Sequence, residues 1–163
     1  MTASPALDGS QSPVLAGEQM SKHFSAGRGM RTLAGQRRVV HAVDDASVAL
    51  APGEIVAVVG ESGSGKTTLG RLMSRLELPT SGSLRLDGRP VRAGGTRALR
   101  PFRRRVQVVF QDPYASLNAA HKVGYHLQRP LLLHKIARSG ADARTMAIEL
   151  LERVGLRPGS QFM

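Results

Sequence analysis

Between Ile55 and Leu78 the chain passes from an apolar run through a glycine-rich loop into a helical pattern, and this succession limits its fold more than any other segment. Ile55–Val59 is short and apolar throughout, as expected of a strand covered on both faces of a parallel sheet. Gly60-Glu61-Ser62-Gly63-Ser64-Gly65-Lys66-Thr67 fits G-x-x-x-x-G-K-[ST], the P-loop pattern, and Thr68 follows it. Gly60, Gly63 and Gly65 allow tight turns that aim backbone N–H groups at phosphate oxygens. Lys66 offers a mobile positive charge to β- and γ-phosphates, and the Thr67 hydroxyl can ligate Mg²⁺. Leu69, Leu72, Met73 and Leu76 then recur at i, i+3, i+4 and i+7, which predicts a helix with one apolar face that Pro79 ends. Strand, loop and helix together predict a nucleoside-triphosphate site.

The chain has 163 residues, enough for one domain with a core of its own. Its longest strongly apolar stretches are far below the roughly 20 residues of a membrane span. Met1–Met20 has neither the basic start nor the apolar run of a secretory signal. With no cysteine there are no disulfides or thiolate metal sites, which is compatible with a reducing cytoplasm. The net charge of +11 is uneven: residues 1–60 carry five basic and five acidic side chains, residues 61–163 carry 18 and 7. Eight arginines face Asp87 alone within 85–105. Aromatic residues do not interleave with them except at Phe102, so the patch reads as a solvated or subunit-facing surface, and nucleic acid is not an expected partner.

Residues 1–18, rich in Ser, Pro, Ala and Gly, read as a disordered leader, and 25–36 as a second loop-like stretch. Val39–Val43 and Ser47–Leu50 flank Asp44-Asp45 and read as a hairpin of short strands. Pro52-Gly53 is a turn, Leu84–Leu86 alternates, and Asp87-Gly88 is a hairpin signal. Val106–Phe110 reads as another strand after Arg103, Arg104 and Arg105. Ala143, Met146, Ala147, Leu150, Leu151 and Val154 keep helical spacing, with Gly155 at the C-terminal cap and Pro158 beyond. The five histidines, at 23, 41, 121, 126 and 134, show no metal-ligand spacing and read as structural or surface residues.

From about Gln19 to Met163 the chain resembles the ATP-binding subunits of ABC transporters, in particular those of oligopeptide, dipeptide and nickel importers. The resemblance rests on Val43–Glu54, on Gly60–Leu69, and on Arg103–Asn118 (Arg-Arg-Arg-Val-Gln-Val-Val-Phe-Gln-Asp-Pro-Tyr-Ala-Ser-Leu-Asn), with Ala119-Ala120 departing from the Pro-Arg expected next. It implies an α/β fold: a P-loop NTPase, ABC-type nucleotide-binding domain with an antiparallel β subdomain, here residues 19–163, truncated in the helical subdomain. It implies ATP and Mg²⁺ as cofactors. Phe24 matches the aromatic that stacks on adenine, although a Phe at a strand end is also an ordinary core residue. Gly60, Glu61, Ser62, Gly63, Ser64, Gly65, Lys66, Thr67 and Thr68 match the phosphate loop. Gln111 matches the glutamine whose amide reaches Mg²⁺ or the attacking water, so the implied metal contacts are Thr67 and Gln111.

Three further motifs of the family do not occur in these residues: the Leu-Ser-Gly-Gly-Gln signature, the Walker B strand ending in Asp-Glu, and the switch histidine. The chain therefore reads as the first half of a nucleotide-binding domain. In the family two domains pair head to tail, each site joining one P-loop to the other's signature; two copies of this chain could not complete one site. The implied partners are transmembrane permease subunits, docked through the segment after Gln111, a second ATP-binding subunit and, indirectly, a substrate-binding protein. The implied location is the cytoplasmic face of the bacterial inner membrane. Two other readings compete. A small P-loop kinase would take Val106–Asp112 as a strand ending near an acid, but Gln111 intervenes. A non-catalytic relic would bind nucleotide or nucleic acid through its basic face.

Overall fold

A computed structural model describes residues 12–25, 39–112 and 117–163. They fall into two compact units, within Met1–Val106 and Gln107–Met163, and each is described by itself.

The first unit holds an antiparallel four-stranded sheet in the order β2-β1-β3-β4, built from β1 (Leu15–Ser25), β2 (Val39–Leu50), β3 (Ser81–Leu86) and β4 (Arg89–Pro90). β1 pairs on both sides, with β2 and β3. Its first residues, Leu15 to Glu18, were expected in the leader; Ala16 and Gly17 are instead buried within the central strand. The rest of the leader up to residue 11, and nearly all of the loop-like stretch 25–36, lie outside the described residues.

The hairpin expected around Asp44-Asp45 is a correction. β2 runs unbroken through both aspartates, and its ladder with β1 shifts register several times between Gly17 and His23. Gln19 and Asp45 take positive φ at these irregularities. Their displaced N–H groups are satisfied by hydroxyls across the ladder: Gln19 donates to Ser47 Oγ at 2.9 Å, and Asp45 donates to Ser21 Oγ at 3.0 Å. A bulge answered in this way keeps a turn-prone pair inside a strand.

The turn signals hold where they are local. Asp87 and Gly88 both have positive φ and join β3 to β4, the geometry that suits a two-residue hairpin. Helix α1 (Lys66–Met73) buries Leu72 against Met20 and Val43, with Ala46, Leu69 and Met73 packed around them. It ends before the apolar period does. Arg75 turns left-handed and the Leu76 N–H bonds back to the Arg71 carbonyl at 2.9 Å, so Leu76 leaves the helix and is exposed. Arg75 itself is buried, donates from Nη2 to the Val91 carbonyl at 3.0 Å, and has its pKa lowered by that burial. Arg100–Arg105 form a short helix, α2, with Pro101 in its first turn, where the sequence suggested only an approach to a strand.

The parallel strand expected at Ile55–Val59 and the further strand expected at Val106–Phe110 are also corrected. Ile55–Val59 and Val106–Phe110 join no sheet ladder, and Ile55 (95% exposed), Val59 (80%) and Val109 (97%) lie open to solvent. A parallel strand is fixed by hydrogen-bonded neighbours on its flanks, and among the described residues no strand flanks either run.

The second unit contains α3 (Val123–Leu133) and α4 (Gly140–Arg153), which pack around Leu131, Ala137 and Ala143 with Met146. Ser139 caps α4 by accepting from the Asp142 N–H at 3.1 Å, while Asp142 Oδ2 accepts from the Arg138 N–H at 2.7 Å. Gly155, at positive φ, closes it as expected.

Leu72 is fully buried at the centre of the first unit's core. Leu72→Ala should therefore destabilise the chain by about 2–5 kcal/mol, the usual cost of such a cavity. Urea unfolding followed by circular dichroism measures it; a loss under about 1 kcal/mol would mean that α1 does not rest on this sheet.

Candidate functional site

The glycine-rich loop leaves Val59, turns through Gly60, Gly63 and Gly65, and enters α1 at Lys66. Gly63 and Gly65 have φ of 81° and 91°, a region costly for any residue with a Cβ. The two differ in surroundings. A Cβ at Gly63 would meet open space, whereas one at Gly65 would run into the Ala42 carbonyl of β2. The loop is thus pressed against the sheet at Gly65 and free of it at Gly63.

The Lys66 side chain folds back over this loop. Its ammonium donates to the carbonyls of Gly60 at 2.7 Å and Glu61 at 2.5 Å, and lies 3.4 Å from Ser64 Oγ. These acceptors are uncharged, so the cation is held at the loop's centre without being neutralised. Glu61 contributes its carbonyl here. The loop closes on itself through the Ser64 N–H, which donates to the same Glu61 carbonyl at 3.2 Å.

α1 begins without a side-chain cap and with no acidic residue in its first turn. Its leading N–H groups, at Lys66, Thr67 and Thr68, have no carbonyl one turn back, and the positive end of the helix dipole faces the loop. Thr67 is exposed in that first turn and Thr68 half-buried; Ser62 is exposed in the loop. Chemically this is an anion cradle: backbone donors, a helix N-terminus and a cation bound only to neutral oxygens. Beside it lies an open cleft of about 850 Å³ lined by β2, by Glu54–Val59 and by Ser64, Gly65, Lys66 and Leu69.

The other expected site residues lie elsewhere. Phe24 sits near the end of β1 opposite Val40, 40% exposed, outside the cleft's lining, with the Lys22 ammonium 5.0 Å from its ring centre. That ammonium is anchored by Glu77 at 2.6 Å and the Leu78 carbonyl at 2.9 Å. The same Lys22 hydrogen bond is the chief cause holding the Glu77 carboxyl below its usual pKa. Gln111 is exposed and belongs to the second unit.

One grouping escaped the sequence. His23 and His41 face each other across the β1–β2 ladder with ring centroids 4.1 Å apart, and a ligand atom of Asp44 lies within 4.8 Å of theirs. The signal was strand pairing, which the misplaced hairpin concealed.

Comparison with known proteins gives the family. A model described as ABC transporter matches residues 43–161. The glutathione import ATP-binding protein GsiA of Salmonella typhimurium (strain LT2) is 46% identical over 121 residues, 74% of this chain and 19% of that protein. The dipeptide transport ATP-binding protein DppF of Escherichia coli (strain K12) is 40% identical over 147 residues, 90% of this chain and 43% of that protein. A solved dimer of the ATP-binding cassette MJ0796, in a post-hydrolysis state bound to ADP and Pi, aligns with a TM-score of 0.65 at 23% identity, covering 85% of this chain and 56% of that one. This last likeness concerns the fold alone. The chain belongs to the ABC transporter family, and spans less than half the length of these two curated relatives.

The contrast between the two glycines is measurable. Gly63→Ala should cost about 1–2 kcal/mol, the backbone penalty of left-handed geometry. Gly65→Ala should cost clearly more, since it adds the collision with Ala42. Thermal unfolding of both variants decides it; equal shifts would show that the loop does not press on β2.

Proposed function

We propose that these residues form the phosphate-gripping part of the ATP-binding, energy-coupling subunit of an importer for peptides or nickel. The observation that carries the reading is the Lys66 ammonium, held over an uncapped helix N-terminus by neutral oxygens only. A triphosphate would replace the Gly60 and Glu61 carbonyls as its partner and gain the backbone donors of Gly63 to Thr68. Thr67 would hold Mg²⁺, which when bound draws charge from the phosphate oxygens. Phe24 would offer its ring to the adenine, and Gln111 would orient the water or the metal.

The names of GsiA and DppF, glutathione import and dipeptide transport, favour a peptide cargo. Permease subunits, contacted through the stretch after Gln111, and a second ATP-binding subunit are the partners this reading requires, with a substrate-binding protein acting through the permease. Among the described residues no helix is long and apolar enough to cross a membrane, consistent with a peripheral place on the cytoplasmic face of the inner membrane.

Residues 1–163 do not on this reading hydrolyse ATP by themselves. They bring the cradle, a Mg²⁺ hydroxyl and Gln111, whereas hydrolysis needs a carboxylate to polarise the water and donors from a signature loop. The uncovered runs Ile55–Val59 and Val106–Phe110 support it, having a strand's composition but no sheet neighbour among the described residues.

Lys66→Ala should weaken ATP binding by about 2–4 kcal/mol, because it removes the one side-chain charge on the β- and γ-phosphates. Titration with a fluorescent ATP analogue tests this, and unchanged affinity in a folded variant would remove the phosphate-loop assignment. Phosphate release from residues 1–163 should stay at background. Turnover near ~1 s⁻¹ that Lys66→Ala abolishes would overturn the half-site reading.

A further inference from the structure

We propose that His23, His41 and Asp44 form a binding site for a late first-row divalent cation, Zn²⁺ or Ni²⁺, on the β1–β2 ladder. His23 is distant in sequence from the other two: it belongs to β1, His41 and Asp44 to β2. Two features of the ladder bring them together. His23 pairs directly with His41, which puts both imidazoles on one face. His41 and Asp44 are three residues apart, and in a regular strand would face opposite ways. The register shift between Lys22 and His23 leaves Ala42 as an extra residue, since Lys22 pairs with Val43 and His23 with His41. That bulge changes the alternation and brings the Asp44 carboxylate beside the two rings.

The donor set selects the cation. Two imidazoles and one carboxylate suit Zn²⁺ or Ni²⁺, whereas Mg²⁺ and Ca²⁺ prefer oxygen donors, so this site is distinct from the Mg²⁺ position at Thr67. The candidate ligand atoms lie within 4.8 Å of one another. Ligands at about 2.0–2.1 Å from one metal are at most about 4.2 Å apart, so small side-chain rotations close the site. His41 and Asp44 are exposed, which gives an ion access and leaves room for water to complete its shell. His23 adds an independent sign: its Nε2 is hidden from solvent and has no hydrogen-bond partner among the described residues. A buried ring nitrogen without a partner is an uncommon arrangement that a metal, or a ring turned toward one, resolves.

The site also touches the phosphate loop through the backbone. The bulge residue, Ala42, is the one whose carbonyl Gly65 approaches. Metal binding would fix the same stretch of β2 on which the loop rests.

Calorimetric titration of the full chain with ZnCl₂, without nucleotide, tests the proposal, with Co²⁺ absorption in the visible as a second readout of ligand geometry. One equivalent should bind. His41→Ala and His23→Gln should each weaken binding by about tenfold or more, and Asp44→Asn should weaken it measurably. His121→Ala, in the second unit, should leave it unchanged. His41 and Asp44 lie outside the core, so far-UV circular dichroism should show their variants folded. Absence of saturable binding to the wild-type chain would overturn the proposal. So would binding that survives His41→Ala and Asp44→Asn intact, or that only His121→Ala removes.

Discussion

The seating of α1 on the β1–β2 face is the contact on which the first unit depends. Leu72 reaches Met20 and Val43, and that one apolar anchor fixes where the helix begins as well as where it lies. A helix anchored at its last turn by Leu72 and packed in its first half by Leu69 has little freedom where it begins, so Gly65 is held onto Ala42 and the loop is fixed at one edge. The anion cradle is therefore set by packing beneath it more than by its own glycines. Core and site share the same residues of β2: Val43 points into the core while its neighbours Ala42 and Asp44 serve the loop and the surface.

What could be read in the sequence was whatever local chemistry decides. The glycine-rich loop leading into α1, the Asp87-Gly88 turn, the Gly155 cap and the Ala143, Ala147 and Leu151 positions of α4 depend on residues within a turn or two of each other, and the structure has them where the pattern puts them, whereas Leu150 and Val154, at the end of the same stripe, are exposed. The continuity of β2 was not legible, because Asp44-Asp45 is a turn signal by itself and becomes a strand bulge only when Ser21, from another strand, supplies a hydroxyl. The end of α1 was misjudged for a related reason: the period runs on to Leu76, but Arg75 finds a buried partner at Val91 and leaves the helix. Ile55–Val59 has a strand's composition, yet a strand exists only with neighbours. The His23–His41 pairing depends on register, which no spacing along the chain reveals. The likeness to importer subunits carried Phe24 and Gln111, for which local patterns say little.

The basic excess has an internal use as well as an external one. Arg105 pairs with Asp87 at the β3–β4 turn, and Arg85 reaches Glu18 at 3.3 Å across the β1–β3 ladder. Both pairs are about half exposed, so each contributes little to stability on its own. Arg75 differs. Its burial lowers its pKa, its Nε has no partner among the described residues, and its Nη2 bond to the Val91 carbonyl ties the end of α1 to the residue after β4. Two arginines of the basic stretch, Arg85 and Arg105, thus find acidic partners on the small sheet and its turn.

Lys66 resting on its own loop has a consequence for recognition. Because Gly60 and Glu61 already satisfy the ammonium, an arriving ligand joins an exchange in which one acceptor displaces another. A neutral sugar or amide offers oxygens no better than those it removes, and gains nothing. A group with concentrated negative charge gains at every displaced carbonyl, since it adds ion–ion attraction to the hydrogen bond that a neutral oxygen already makes with the ammonium. The self-engaged lysine is in this sense a threshold, admitting ligands by their charge density before their shape is tested.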